Sequence, residues 1–205
     1  GPLEGADTLA KRLQFLPVAR ALLEGFPILH NIFVGYKDGD IFMVSRLNAE
    51  KFRLRVFAPE GSILMVTAAK GAPHPHVVKN LFFDKDLKLI GQNQNSASLP
   101  DAIYQREWYA EAMQREGRIE TKPLLLNGTN QAAIELIQRT RNGQAALGLS
   151  ILLEDLSKEL KREMHTQGAH LVLFQSDGTP IASGRGITVE ENGSSRLRVL
   201  KDFPE

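Results

Sequence analysis

Apolar side chains recur at about every 3.6 residues in the N-terminal part of the chain, between residues 7 and 26. This spacing is typical of an α-helix, and Asp7 or Thr8 suits the position where a helix begins. Pro17 interrupts the pattern because proline lacks the backbone N–H that a helix interior requires. The pattern therefore predicts two short helical pieces rather than one straight rod.

After Ile28 the pattern becomes that of β-strands. Apolar residues at 32–36 and 41–44 flank the turn Lys37-Asp38-Gly39-Asp40, and an Asp-Gly pair suits the positive φ angles of a tight hairpin. The apolar stretch 62–69 has the composition of a further strand, as does the stretch that ends at Phe83. We expect a series of hairpins in this part of the chain.

A polar stretch from Gln92 to Ser98 follows these strands. It is predicted to be a loop, which leads through Pro100 into a helix that carries Trp108 and Tyr109. A loop of this length can fold over a bound molecule.

The C-terminal half repeats the hairpin pattern. The pairs Asn127-Gly128 and Asn142-Gly143 are favoured turn residues and predict two more strand pairs. A helix is predicted from Leu153, and Asp177-Gly178 predicts another hairpin after it. Residues 184–205 are predicted to be either one more strand pair or poorly ordered. Successive hairpins form an antiparallel sheet, so the predicted fold class is α+β.

Composition narrows the possible functions. With 205 residues and 42% hydrophobic content, the chain can bury a substantial core without a metal or a disulfide. Lysine plus arginine (25) nearly equals aspartate plus glutamate (24), and this balance argues against a nucleic-acid partner. The absence of cysteine excludes thiol catalysis and cysteine-based zinc sites.

No motif indicates an enzyme, a metal or a cofactor. His74-Pro75-His76 brings two imidazoles together without further ligands nearby, and the other histidines have no spacing typical of a catalytic triad. A phosphate-binding glycine loop and a dinucleotide fingerprint are both lacking. We therefore predict no catalytic residues, no metal site and no cofactor.

The segment Arg106-Glu107-Trp108-Tyr109 is the best candidate for binding chemistry. A guanidinium pairs with a carboxylate through two hydrogen bonds, and an indole N–H and a phenol O–H each add a donor. The alternative is that Trp108 and Tyr109 are ordinary core residues with Arg106 as a surface neighbour.

Several segments together carry a resemblance to a known family: Phe26-Pro27, Val34 to Gly39, Ala58 to Gly61, Phe82 to Asp84, Arg106 to Tyr109 with Ala112, and Gly148 to Ser157. In order and spacing they resemble the double-Cache family of bacterial extracytoplasmic sensors. These domains precede cyclases, cyclic-dinucleotide phosphodiesterases, histidine kinases and chemoreceptors. The resemblance implies a PAS-like antiparallel sheet with flanking helices and a long N-terminal helical segment.

Three domains follow from this resemblance. Residues 1–27 would form the N-terminal helical segment, and residues 28–152 the membrane-distal Cache module. Residues 153–205 would form a connecting helix and a small or incomplete membrane-proximal module.

The resemblance also implies the site. Arg106 and Trp108 would hold a ligand carboxylate, and Tyr109 would line the same pocket. Family members that sense amino acids hold the ammonium group with an aspartate, where this chain has Ser150, and with a tyrosine and often a second aspartate, where it has Leu124 and Leu126.

Those replacements lead to a prediction about the ligand. A buried ammonium without a carboxylate partner costs several kcal/mol, which is comparable to the binding energy of a micromolar ligand. The sequence therefore predicts a small anion or carboxylate with an apolar or hydroxylated body, resting against Leu124 and Leu126, and not a free amino acid.

The predicted function is ligand sensing in the periplasm, by a homodimeric domain of a bacterial inner-membrane signalling protein. Membrane helices outside these residues would anchor it and pass the signal to a cytoplasmic output domain. The domain itself is not expected to be an enzyme. The alternative is a dimerisation or interaction module of the same receptor class without a ligand.

Overall fold

The structure is a computed structural model that describes residues 3, 5–71, 78–95, 107–126, 131–163, 171–184, 187–191 and 194–197. These residues form five helices and thirteen strands. In chain order they are α1 (Leu9–Leu13), α2 (Leu16–Gly25), β1 (Leu29–Tyr36), β2 (Ile41–Arg46), α3 (Glu50–Arg55), β3 (Leu64–Ala69), β4 (Val78–Phe83), β5 (Leu89–Asn95), α4 (Glu107–Gln114), β6 (Arg118–Glu120), β7 (Leu124–Leu126), β8 (Gln131–Arg139), β9 (Ala145–Leu152), α5 (Leu153–Arg162), β10 (Val172–Phe174), β11 (Pro180–Ser183), β12 (Thr188–Glu191) and β13 (Ser194–Leu197).

Nine strands form one antiparallel sheet in the order β5-β4-β3-β2-β1-β9-β8-β6, with β7 paired to β8. Two further sheets have two strands each, β10 with β11 and β12 with β13. The predicted α+β class with an antiparallel sheet and flanking helices is confirmed. No helix in the described ranges combines the length and apolar character needed to cross a bilayer.

The chain divides into two compact units. The first unit comprises residues 1–119 and 136–149, and the second comprises 120–135 and 150–205. The domain boundaries implied by the resemblance remain a prediction.

The N-terminal helices form as predicted. Thr8 caps α1, because its hydroxyl oxygen accepts a hydrogen bond from the backbone N–H of Lys11 at 3.3 Å. Pro17 does not kink a helix; it lies in the first turn of α2, where its missing N–H would have no partner within the helix. The result is two short helices.

The β1–β2 hairpin is also confirmed, with one difference in its turn. The Gly39 N–H donates to the Tyr36 carbonyl and the Tyr36 N–H donates to the Asp40 carbonyl, each at 2.9 Å. Of the Asp-Gly pair only Gly39 has a positive φ, at 86°. Glycine is needed at that position because other residues are strained there.

The segment from Gln92 to Asn95 is not a loop, as the sequence suggested, but the second half of β5. It pairs with β4 along its whole length. The polar side chains also bond to their neighbours, since the Asn80 amide donates to Asn93 and the Asn93 amide donates to the Val56 carbonyl, both at 3.0 Å. These hydrogen bonds let a polar sequence form an edge strand. The rest of the predicted loop, residues 96–98, lies outside the described residues.

Helix α3 was not predicted. It is held in place by Arg53, whose guanidinium donates to the carbonyls of Leu47 at 3.3 Å, of Pro59 at 3.2 Å and of Ser62. These acceptors belong to other segments of the chain.

A buried ion pair joins the N-terminal segment to the sheet within the first unit. Arg12 and Asp40 have side chains only 4% exposed, and Arg12 Nη1 lies 2.8 Å from Asp40 Oδ2. Lys70 Nζ at 3.0 Å and the Gly71 N–H at 3.0 Å also donate to the Asp40 carboxylate. The Arg12 guanidinium lies 3.9 Å above the ring of Tyr36. We call these five residues the Asp40 network.

In the second unit α5 packs against β11. The Ser157 hydroxyl donates to the Leu153 carbonyl at 2.7 Å and accepts the Ser183 N–H at 3.1 Å, which joins helix and strand. The predicted Asp177-Gly178 turn is present, with Gly178 at φ 83°. Of the two alternatives for residues 184–205, the strand pair is the one found at residues 188–191 and 194–197, where β12 pairs with β13.

Candidate functional site

Helix α4 packs on one face of the sheet in the first unit. We call this packing the α4 cluster; its buried members are Phe33, Tyr109, Ala112, Ile119, Ile137 and Ala146, and its half-buried members are Ile41, Met43, Trp108 and Met113. The cluster explains why the polar-looking α4 is stable, because the helix covers apolar side chains of several strands.

Trp108 is held between two other rings. Its ring lies edge-on to Phe33, with centroids 5.3 Å apart, and edge-on to Tyr109 at 5.8 Å. This geometry is favourable for aromatic pairs. The indole is only half buried, so part of it remains accessible.

Gly148 on β9 makes this arrangement possible. A Cβ atom at Gly148 would lie 2.1 Å from Phe33 Cζ, which is far inside van der Waals contact. Phe33 therefore rests directly on the glycine backbone, and any side chain at 148 would displace it.

Tyr109 carries a buried polar group in the α4 cluster. Its hydroxyl has no hydrogen-bond partner among the described residues. Burial raises the pKa of Tyr109, and the charge of Asp38 acts in the same direction. The phenol is therefore neutral at physiological pH and can donate a hydrogen bond.

The structure thus brings Trp108 and Tyr109 together in one cluster, and both also contribute to the core. Arg106 lies outside the described residues. The role of these three residues in carboxylate binding remains a prediction.

The other predicted site residues belong to the second unit. Leu124 and Leu126 are half buried on the same side of β7, opposite Ala133 and Gln131 of β8. The carboxylate of Glu135 accepts a hydrogen bond at 3.2 Å from Oγ of Ser150, which is fully buried. Their role in ligand binding is likewise still a prediction.

Glu135 is a residue that the sequence analysis missed. It lies on β8 and is fixed by Thr121, whose hydroxyl accepts the Glu135 N–H and whose N–H donates to the Glu135 carbonyl, both at 2.9 Å. A half-buried carboxylate therefore stands beside the serine where an acid was thought to be lacking.

The register of the predicted hairpin could have revealed it. The Thr140 N–H donates to the Ala145 carbonyl at 2.9 Å and closes the β8–β9 hairpin around Asn142-Gly143. Because the strands are antiparallel, moving about five residues back from Thr140 along β8 and equally far forward from Ala145 along β9 places Glu135 opposite Ser150.

Among the described residues, no group of three or more histidine, aspartate or glutamate side chains is placed to hold a metal ion. His74 and His76 fall outside that part of the chain.

No family model matches the chain. Its fold is similar to that of the ligand-binding domain of the Campylobacter jejuni chemoreceptor Tlp3. With the L-valine complex the TM-score is 0.52 at 15% identity, covering 90% of this chain and 56% of that one. With the 4-methylisoleucine complex the TM-score is 0.50 at 16% identity, covering 89% and 55%.

A curated protein, Adenylate cyclase 1 of Rhizobium meliloti (strain 1021), is 25% identical over 160 residues. The match covers 76% of this chain and 24% of the cyclase. The chain thus spans about a quarter of that cyclase and, at 56%, about half of the Tlp3 domain.

These similarities confirm at the level of the fold the resemblance to Cache-type sensor domains. They also correct the ligand prediction. The exclusion of free amino acids is wrong, because the Tlp3 domain, whose fold is similar, is solved with L-valine and with 4-methylisoleucine bound.

Proposed function

We propose that this chain is the extracytoplasmic ligand-sensing domain of a bacterial transmembrane signalling protein, and that it binds a small carboxylate metabolite, with amino acids included in that class. The observation that carries the proposal is the α4 cluster in a sensor-type fold, with a half-exposed indole beside a buried phenol that can donate. The similarity to part of a cyclase supports a cytoplasmic enzymatic output domain.

The carboxylate would be held by Arg106, Trp108 and Tyr109. A guanidinium binds a carboxylate through paired hydrogen bonds, and such charge-assisted bonds are about twice as strong as neutral ones. The Tyr109 hydroxyl supports the assignment because it is a buried donor, neutral at physiological pH, that no described residue satisfies.

For ligands that carry an ammonium group, Glu135 is proposed to supply the opposite charge that a buried ammonium requires. Its backbone is fixed by Thr121 and its carboxylate by Ser150, so the group is already oriented. Leu124 and Leu126 are proposed to contact the apolar part of the ligand.

Signalling would follow from a difference in affinity. A ligand shifts an equilibrium between two conformations only as far as it binds one of them more tightly. In this proposal the ligand favours one packing of α4, and the change passes through the flanking helices to the output domain.

The first test compares L-valine with 3-methylbutanoate, which has the same carboxylate and carbon skeleton but lacks the ammonium. A true ligand at about 100 times its Kd should stabilise the chain by about 2.7 kcal/mol and raise its Tm by roughly 5 to 10 °C. Trp108 is the sole tryptophan, so its fluorescence reports binding directly. Arg106→Ala should abolish both responses.

Arg115→Ala is the matched control, because it removes an exposed guanidinium just after α4 that pairs with Glu111 at 3.0 Å. It should keep the ligand response. An undiminished Tm shift in Arg106→Ala would disprove the carboxylate site.

Glu135→Gln tests the ammonium group separately. The amide keeps the shape and a hydrogen-bond acceptor for Ser150 but loses the charge. We expect the Kd for L-valine to rise about tenfold or more, with 3-methylbutanoate unaffected. Glu163→Gln, which changes an exposed glutamate, should leave the Kd values for both compounds unchanged. If calorimetry shows that Glu135→Gln weakens the binding of both compounds equally, Glu135 does not recognise the ammonium group.

The second candidate function is a dimerisation module without a ligand. It is favoured by exposed apolar side chains on α2 and just after it, since Val18 and Leu22 of α2 and Phe26, which follows the helix, are 48%, 36% and 56% exposed. If carboxylates and amino acids leave the Tm unchanged, and the mass by light scattering is that of a dimer at every concentration, this alternative replaces the sensing proposal.

A further inference from the structure

A cavity of about 250 Å³ lies in the first unit, near the junction of α2, β2 and α3. Its walls are formed by Arg20, Leu23, Glu24, Arg46, Leu47, Asn48, Arg53, Ser62, Ile63 and Leu64. The volume suits a small molecule of a few non-hydrogen atoms.

Two cavity residues, Arg46 and Leu64, lie on the face of the sheet opposite to the α4 cluster. Met43 packs in the α4 cluster, and Arg46 follows it by three positions on β2. Side chains alternate between faces along a strand, so residues three apart point to opposite sides. Arg46 pairs in register with Leu64, which lines the same cavity.

The cavity carries an excess of positive charge. Of its three arginines only Arg20 has a carboxylate partner among the described residues, Glu24 at 2.7 Å. The half-buried Arg46 donates to the carbonyls of Pro27 at 2.9 Å and Leu29 at 3.4 Å, which orient the guanidinium without neutralising it.

The charge of Arg53 is likewise not neutralised by a carboxylate of the described residues, because all its described partners are backbone carbonyls. The cavity therefore presents three positive charges and one negative charge. Its remaining walls include the buried side chains of Leu23, Leu47 and Leu64. Guanidinium groups that backbone carbonyls already hold in place lose less conformational entropy when they bind an anion.

We infer that this cavity is a second ligand site, independent of the proposed carboxylate site, and that it takes a small dianion such as a short dicarboxylate or phosphate. The net charge of the walls matches two negative charges, and the guanidinium forks match paired oxygens. A bound dianion would connect α2 through Arg20, β2 through Arg46 and α3 through Arg53, and so would hold the N-terminal helix against the sheet.

The test is calorimetric titration of the whole chain with succinate and, separately, with inorganic phosphate, at constant ionic strength set by sodium chloride. We expect saturable binding at one site per chain with a Kd of about 1 mM or lower for at least one of them. Which probe binds distinguishes an organic acid from phosphate.

Arg46→Gln and Arg20→Gln should each weaken binding about tenfold or more. Two variants are needed because Arg46 also donates hydrogen bonds to two backbone carbonyls, so that its substitution affects more than the cavity. A Tm measured without ligand shows whether each variant is folded. Arg55→Gln, an exposed arginine on α3 outside the cavity, is the matched control and should bind as the wild type does.

Trp108→Leu separates this inference from the proposed function. It removes the indole of the carboxylate site and should keep dianion binding. Loss of dianion binding in folded Trp108→Leu would place the dianion in the other site and overturn the inference. So would wild-type affinity in both cavity variants, or the absence of saturable binding for both probes.

Discussion

Asp40→Ala is expected to lower the free energy of unfolding by about 3 to 5 kcal/mol. Arg12 is buried, and its charge is balanced by Asp40 at 2.8 Å. Removing the carboxylate leaves a buried guanidinium without its counter-ion, and the Gly71 N–H loses its acceptor. Urea unfolding followed by circular dichroism measures the loss.

Two comparisons isolate the cause. Glu111→Ala removes an exposed acid from a surface pair with Arg115 and should cost less than about 1 kcal/mol. Arg12→Met should lower the free energy of unfolding much less in the Asp40→Ala background than in the wild type, because it then removes an uncompensated buried charge. Additive losses in the double variant would show that the pair is not coupled.

The same network predicts a dependence on pH. Burial by itself raises the pKa of Asp40, but the hydrogen bond from the Gly71 N–H, together with those from Lys70 and Arg12, outweighs it and holds the pKa below its ordinary value. A lowered folded pKa gives stability that is complete above about pH 4 and is lost as the pH falls through the folded pKa. Asp40→Ala should therefore flatten the acid limb of the stability profile. Asp7 and Asp177 also have lowered pKa values but are exposed, so a small slope should remain.

Gly148→Ala is expected to destabilise the chain by about 1 to 3 kcal/mol and to change the fluorescence of Trp108. The new methyl group would overlap the ring of Phe33, whose Cζ, Cε2 and Cε1 atoms lie 2.1, 2.4 and 2.6 Å from the Cβ position. Phe33 is buried and contacts Trp108, so its displacement reaches the proposed binding residues.

Gly25→Ala provides the control, because a Cβ at this last residue of α2 has no neighbour within 4 Å. It should be neutral or slightly stabilising. Phe33→Leu should restore part of the stability lost in Gly148→Ala by making room for the methyl group. A Gly148→Ala variant with the wild-type Tm and emission spectrum would contradict the close contact.

Much of the fold was predictable because turn and helix signals act between near neighbours. Gly39 permits the backbone of its own turn, Thr8 caps the helix that follows it, and Pro17 fits the first turn of α2. Hairpin order then gave the antiparallel sheet. Trp108 was identified from the chemistry of its segment, and its half-exposed place in a cluster is compatible with that prediction.

Contacts between distant segments were beyond the sequence pattern. Residues 92–95 are polar, and they form a strand only because β4 supplies their partners. Arg12 and Asp40 are 28 positions apart, and nothing in the sequence indicates that they form an ion pair. Glu135 meets Ser150 through the register of a hairpin.

The sequence by itself determined several turns, the N-terminal helices and the hairpins around them, and which segment carries polar aromatic chemistry, because these properties depend on a few adjacent residues. Only the tertiary structure decided which acids and bases face each other, and it thereby placed a carboxylate beside Ser150 and left two arginines of the cavity without acidic partners among the described residues. The physical reason is that the energy of a buried charge depends strongly on the groups immediately around it. Those groups come from strands and helices that are far apart in the chain.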